Sequence, residues 1–386
     1  MKVLYNIGDC IFSPMGSTTS ENVQALSEGH SALAYYDGAF NLPEPFFASL
    51  FEKNHIEHTF ANRAKEAFRY TRFEKIAILA AAGAIQNADI DASRKEVLFI
   101  LSTTKGNIEL LENQDGFGKE RLFLWRSAQL IAQYFGNPNE PLVVSNACIS
   151  GCAAQIAAAR ALTNPQYKYA VVIGADVLSK FVISGFQSFK ALSPELCHPF
   201  DADRTGLNLG EGAAAIVYTH FDNHPKVNAN TLCLLRGAIC NDANHISGPS
   251  RTAEGLFAAI EKTMQNFDKE SIAFINAHGT ATRYNDDMES IAIQRAQLSA
   301  CPVNSLKGYY GHTLGAAGVI EVILSAQALL QNRIWKTRGT QNTGTASPIR
   351  VPLHEEKTLK TAFLKIISGF GGGNAALLLA QKGGIR

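Results

Sequence analysis

SNACISGCAAQIAAARAL, residues 145–162, is the stretch on which the reading of this chain turns. The apolar run PLVVS (141–145) leads into it with the length of a buried strand, and the alanine-rich remainder has helical character. Cys148 therefore falls on a strand-to-helix turn. Taken alone it reads as a small buried hydrophobe, the common state of an intracellular cysteine. A second stretch changes that reading. CPVNS (301–305) leads to a turn carrying His312, and LGAAGVIEVILSAQALL (314–330) follows as another helix rich in glycine and alanine. The chain repeats one plan, and each copy presents a reactive residue at the start of a small-faced helix. Two such helices can pack closely at the centre of a layered structure.

Other elements fit the same plan. Strand-length runs occur at 97–101, 141–145, 169–176, 213–219, 273–279 and 363–370, and MKVLYNIGD reads as a short strand ending near Gly8 and Asp9. Helical stretches are expected at 63–87, 121–135, 149–163, 253–267, 286–298 and 315–332. This alternation indicates an α/β protein with largely buried sheets. The polar segment FDNHPKVNAN (221–230) marks the seam, dividing the chain into 1–225, with Cys148, and 226–386, with His278 and His312.

Composition narrows the function classes. The chain has 386 residues, 46% of them hydrophobic, enough for a large interior. With 35 basic and 34 acidic residues and no block of like charge, neither nucleic acid nor a membrane surface is expected as a partner. No apolar run of membrane-spanning length and no secretory signal is apparent, so a cytoplasmic location is expected. The seven cysteines are scattered and odd in number, which suits reduced thiols. Cys148 and Cys152 stand at CxxxC spacing with no second pair, so no metal site is expected.

The chemistry rests on three positions. A cysteine at a helix start feels the positive end of the helix dipole, which favours thiolate. AFINAHGTATRYNDD (273–287) puts His278 at a strand end, and His312 stands five residues after Lys307 and nine before Glu321. One cysteine with distant histidines is a pattern for a thiol nucleophile.

These residues resemble a family. NACISG (146–151), NAHGTATRYND (276–286), KGYYGHTLGAAGVIE (307–321) and GFGGGNAALLL (369–379) are similar to signatures of elongating β-ketoacyl-[acyl-carrier-protein] synthases, of the thiolase superfamily. PFDADRTGLNLGEGAAAIV (199–217) and the segment 9–33 fit as well, so the resemblance spans the chain. It implies a thiolase-like, five-layered αβαβα duplicated fold. It further implies a decarboxylative Claisen condensation through acyl-Cys148, giving a 3-oxoacyl-acyl carrier protein. His278 and His312 would serve as enolate donors, the amides of Cys148 and Phe370 as the oxyanion hole, and Lys307 with Glu321 as a supporting buried pair. Phe370 would be a gate in its glycine run, Gly371 included. Thr280 and Thr282 match contacts to the phosphopantetheine arm, with strand-end capping as the other reading. Ser247, with Asp242 and His245, resembles a pocket-lining segment. No bound cofactor is implied, since phosphopantetheine arrives on the acyl carrier protein. The implied partners are that carrier, its acyl and malonyl thioesters, and a second copy of the chain or a heterologous subunit.

Departures from the family pattern bear on substrate. His198 stands where arginine is common, in a shortened loop. Gly308, Tyr310 and Gly373 replace usual residues, and Lys105 enters a region that is usually apolar. They tilt the expectation from primary fatty-acid synthesis toward a specialised polyene or polyketide pathway. Rival readings are an initiating synthase or thiolase acting on acyl-CoA, or a catalytic subunit needing a chain-length-factor-like partner. Initiating enzymes are expected to show His and Asn instead of two His, and GFGGGNA has no second thiolase cysteine.

Overall fold

The computed structural model describes residues 2–63, 67–113, 116–245 and 248–385. Ten strands share one sheet: Leu4–Phe12 (β1), Val97–Ser102 (β2), Leu142–Val144 (β3), Tyr169–Asp176 (β4), Gly212–Thr219 (β5), Leu232–Asn241 (β6), Ile272–Asn276 (β7), Val303–Asn304 (β8), Ala362–Gly369 (β9) and Gly373–Gln381 (β10). Their order is β8-β7-β9-β10-β6-β1-β5-β4-β2-β3. Read outward from the centre, β1-β5-β4-β2-β3 on one side matches β6-β10-β9-β7-β8 on the other. The pairing directions match too: β1–β5 and β5–β4 are antiparallel and β4–β2 and β2–β3 parallel, as are β6–β10, β10–β9, β9–β7 and β7–β8 in turn. Among the described residues two cross-strand pairs, Leu4 with Leu234 and Tyr5 with Cys233, join the two five-stranded portions of the sheet.

Six helices repeat with the strands: Arg72–Ala88 (α1), Leu124–Tyr134 (α2), Ser150–Ala161 (α3), Glu254–Met264 (α4), Arg283–Arg295 (α5) and Ala317–Leu330 (α6). The inner strands are buried on both faces, and their alternate residues enter different cores. From β4 and β5, Ala170, Val172, Ala214, Ile216 and Tyr218 join the cluster that holds α3 and α6. Val171, Ile173, Ala213, Ala215 and Val217 turn the other way, toward α1 and α2. In the second portion Phe363, Ile367, Leu377 and Leu379 face the shared central cluster, while Leu364, Ile366, Ala376 and Leu378 face α4 and α5. The result is the five-layered αβαβα, thiolase-like arrangement. α3 and α6 form the middle layer because small residues let their backbones touch: a Cβ on Gly151 would stand 2.9 Å from Val319 N, and one on Gly318 2.6 Å from Cys152 N.

Several boundaries differ from expectation for identifiable reasons. β1 does not end near Gly8; a register shift between Asn6 and Gly8 absorbs the irregularity and pairing runs on to Phe12. α1 begins at Arg72, not 63, because Thr71 and Glu74 close a capping box there. β6 was not anticipated, and β10 was anticipated only as a motif. Among the described residues, no helix is long and apolar enough to cross a membrane.

Candidate active site

Cys148 stands where β3 turns into α3. Ala147, just before it, has φ 43°, an uncommon conformation for a residue bearing a Cβ. Ser150 pins the turn, its hydroxyl accepting from Asn146 N at 2.8 Å and donating to Ala147 O at 2.6 Å. His312 takes the equivalent place after β8, its backbone N donating to Asn208 O at 2.7 Å. His278 follows β7.

The fold brings all three together. His312 Nε2 lies 3.0 Å from Cys148 Sγ, and the His278 ring meets that of His312 edge-on, with centroids 5.0 Å apart at 83°. Leu314 N donates to His312 Nδ1 at 3.3 Å. That bond uses the Nδ1 lone pair, so in the neutral ring the proton sits on Nε2 and points at the sulfur. His278 Nδ1 is buried and has no partner among the described residues. Burial, and then the positive charge of Lys307, hold both imidazoles well below the usual histidine range, so both are neutral at physiological pH.

The expectation that the helix start leaves Cys148 a ready thiolate is corrected. Burial pushes the thiol up to about 11, outweighing the opposing pull of Lys105, Lys307 and the Phe370 amide, which donates to the sulfur. The other helix start carries its own constraint. Asp176, at the end of β4, accepts from Gly315 N at 2.7 Å, Thr103 Oγ1 at 2.8 Å and Thr104 N at 2.9 Å, tying the loop before Lys105 to the segment after His312.

Two carboxylates of α5 shape the His278 loop. Glu289 accepts from His278 N and Gly279 N, both at 2.7 Å, and Asp286 accepts from Thr280 N at 3.0 Å and Phe200 N at 2.8 Å. Burial pushes Asp286 up to about 6, and burial together with the Asp286 charge pushes Glu289 up to about 7.

Lys307 donates to Glu321 at 2.7 Å as expected, but the pair is a triad. Lys365 Nζ, in β9, lies 2.5 Å from the other Glu321 oxygen. Sequence reasoning passed over Lys365 and Asp176. The signal for the first was a lysine inside the otherwise apolar run FLKIISGF (363–370).

A cavity of about 700 Å³ opens onto Cys148, His278 and His312. Thr280 and Thr282 line it, their hydroxyls 2.8 Å apart, and Thr282 makes no side-chain cap bond to α5. Phe370 lies in its wall, stacked on Phe186 and edge-on to Phe189. Gly371 follows with φ 86°, which a residue with a side chain adopts at a cost. Asp242 and His245 also line the cavity; Ser247 lies outside the described residues. Ligand atoms of Cys148, His278 and His312 lie within 4.8 Å of one another, compact enough for a metal ion, but two lysines on one glutamate directly behind them oppose a dication.

Comparison with known proteins decides the family. The beta-ketoacyl synthase N-terminal domain matches residues 7–221 and the C-terminal domain 232–341. The chain belongs to the beta-ketoacyl synthase family. The ketosynthase is 28% identical over 346 residues to a protein of Streptomyces halstedii named as a polyketide beta-ketoacyl synthase 1, covering 81% of this chain and 82% of that one. It is 26% identical over 394 residues to 3-oxoacyl-[acyl-carrier-protein] synthase 2 of Synechocystis sp., covering 95% and 94%. The solved ishigamide ketosynthase/chain length factor superposes with a TM-score of 0.88 at 24% identity, covering 98% of this chain and 99% of that one, which supports the fold. This ketosynthase is an acyltransferase of fatty-acid or polyketide synthesis that performs the ketosynthase condensation.

Proposed function

We propose that Cys148 accepts the acyl chain and that His278 and His312 stabilise the enolate which extends it. In the first half-reaction the Cys148 sulfur attacks an acyl thioester, the carrier's sulfur leaves, and the thiol proton departs with it. In the second, the C–C bond of malonyl-acyl carrier protein breaks to release carbon dioxide and leaves its electron pair as an enolate. The enolate carbon attacks acyl-Cys148, the C–S bond breaks, and Cys148 leaves as thiolate, to be reprotonated from solvent. The product is a 3-oxoacyl-acyl carrier protein.

The observation that carries this reading is the His312 tautomer: with Nδ1 occupied by Leu314 N, Nε2–H faces the reacting sulfur as a donor, not a base. His278, neutral beside it, is read as the second donor. The amides of Cys148 and Phe370 are assigned to the oxyanion hole, Phe370 with Gly371 to the gate, and Lys307 with Glu321 to support. Thr280 and Thr282 are assigned to the phosphopantetheine arm, with Lys190 and Arg283 at the same cavity suited to its phosphate. Halves 1–225 and 226–386 each contribute one side of the site.

The partner is read as acyl carrier protein, the location as cytoplasmic and the assembly as a homodimer. The edge strand β3 supports the last, since Leu142 on it is exposed, and so are the stacked rings of Phe123 and Trp125 at the start of α2, which packs on that strand. Mass spectrometry of the protein offered a panel of acyl carrier proteins tests the function. The acyl mass is expected on Cys148, and malonyl carrier protein should then yield carbon dioxide and a 3-oxo product. No loading on Cys148 and no carbon dioxide would overturn the reading.

A further inference from the structure

The ionic group behind the site does not balance. Lys307 and Lys365 are 1% and 0% exposed; Lys307 hydrogen-bonds one oxygen of Glu321, which is 4% exposed, and Lys365 ion-pairs with the other. Two ammonium groups thus share one carboxylate. Among the described residues Lys365 finds otherwise the carbonyls of Ala277 and Asn276, at 3.3 and 3.5 Å. The neighbouring thiol of Cys152 does not supply the missing negative charge, because burial pushes it up to about 12. The histidines that face the triad are neutral. Glu289 also faces Lys307, but it is pushed up to about 7 and already accepts from the amides of His278 and Gly279. Asp176 faces Lys105. One positive charge of the Lys307–Glu321–Lys365 triad is therefore left over beside the reacting atoms, an arrangement that is costly without a counter-charge.

We infer that Lys365 is a positioning residue whose charge, in excess over Glu321, complements the single negative charge that the reaction keeps at its centre. This rests on the condensation proposed above. The malonyl carboxylate brings one negative charge, loss of carbon dioxide turns it into the enolate, and carbon–carbon bond formation passes it to the Cys148 sulfur. At no stage does the centre hold two. A fixed, buried single charge matches each of these anions without moving, and inside the protein such a field is screened far less than in water. Lys365 acts through His278, whose preceding residue Ala277 it holds by the carbonyl, and through His312: its charge opposes protonation of both rings and so keeps each a neutral donor.

The test replaces the charge and keeps the stem. Lys365→Met is expected to fold with a melting temperature equal to or above that of the unmodified enzyme, since a lone buried charge is removed. Its decarboxylation of malonyl carrier protein should fall by at least about 10-fold, and the acid limb of the pH–rate profile should move up by roughly one pH unit as the histidines become easier to protonate. An unmoved acid limb overturns the inference, whatever happens to kcat, because a packing role would not move it.

Should Lys365→Met fail to fold, Lys365→Gln is read the same way, and the unmodified enzyme supplies a further measurement. The ratio of Cys148 alkylation by iodoacetate to that by iodoacetamide should exceed the ratio for free cysteine by at least about 5-fold at low salt. A ratio at or below that of free cysteine overturns the excess charge. If the unmodified enzyme releases no carbon dioxide, the condensation reading fails instead, and the alkylation ratio still decides the charge.

Discussion

The Nε2 of His312 and the sulfur of Cys148 are 3.0 Å apart across 164 residues of sequence, and each stands at the mouth of one of the two central helices. The proposed nucleophile and donor are thus held by two helices whose backbones touch at Gly151 and Gly318. The expected consequences follow from that placement.

Cys148→Gln should abolish acyl transfer and condensation while retaining decarboxylation. The glutamine amide is planar and neutral, like a thioester, and leaves His278 and His312 in place. Condensation at the unmodified rate, followed by product mass, would sink the nucleophile assignment.

His278→Ala and His312→Ala should each lower decarboxylation by about 10²-fold or more, the range for loss of one preorganised donor. Carbon dioxide release under saturating malonyl carrier protein checks this. Normal release by both variants would rule out enolate stabilisation by the pair.

Stability should depend on pH through Glu289 and Asp286. Burial raises both carboxyl groups above their ordinary ranges, to about 7 and about 6, so ionising them opposes folding. Their contribution is complete below the unfolded values and is lost as pH rises through the raised ones. Glu289→Gln removes one of these titrations. The melting temperature of the unmodified enzyme should accordingly fall relative to the variant between about pH 5 and 8. A difference that stays constant across that range would contradict the raised Glu289.

Gly318→Ala should destabilise by about 1–3 kcal/mol, as overpacking does, because the new methyl would sit 2.6 Å from Cys152 N with backbone on the far side. Gly185→Ala is the control. Nothing lies within 4 Å of its added Cβ, and a helical Gly→Ala change there should be neutral or slightly stabilising. Denaturant midpoints compare the two, and equal effects would mean that the central contact is loose.

Leu142→Lys should convert the proposed homodimer to a monomer in sedimentation experiments, because it places a charge on the exposed edge strand β3. An unchanged sedimentation coefficient would place the interface elsewhere.

Much of this was legible in the chain itself. Strand-length apolar runs between helical stretches marked doubly covered sheets, and the matching turns at Cys148 and His312 revealed the duplication. The alanines and glycines of 145–162 and 314–330 foretold a tight central layer, since small side chains let two helix backbones approach closely. Signature stretches around Cys148, His278, Lys307 and Phe370 pointed to the reaction.

Tertiary structure decided the rest, for reasons of distance and dielectric. Whether the Cys148 thiol ionises depends on burial by segments far away in sequence, and burial wins over the helix start. The donor role proposed for His312 depends on which nitrogen the Leu314 amide occupies. Lys365 becomes part of the site only because β9 lies beside β7 and against α6, where Glu321 meets two lysines at once. A strand pattern records which residues face inward; it does not record what charge they meet there.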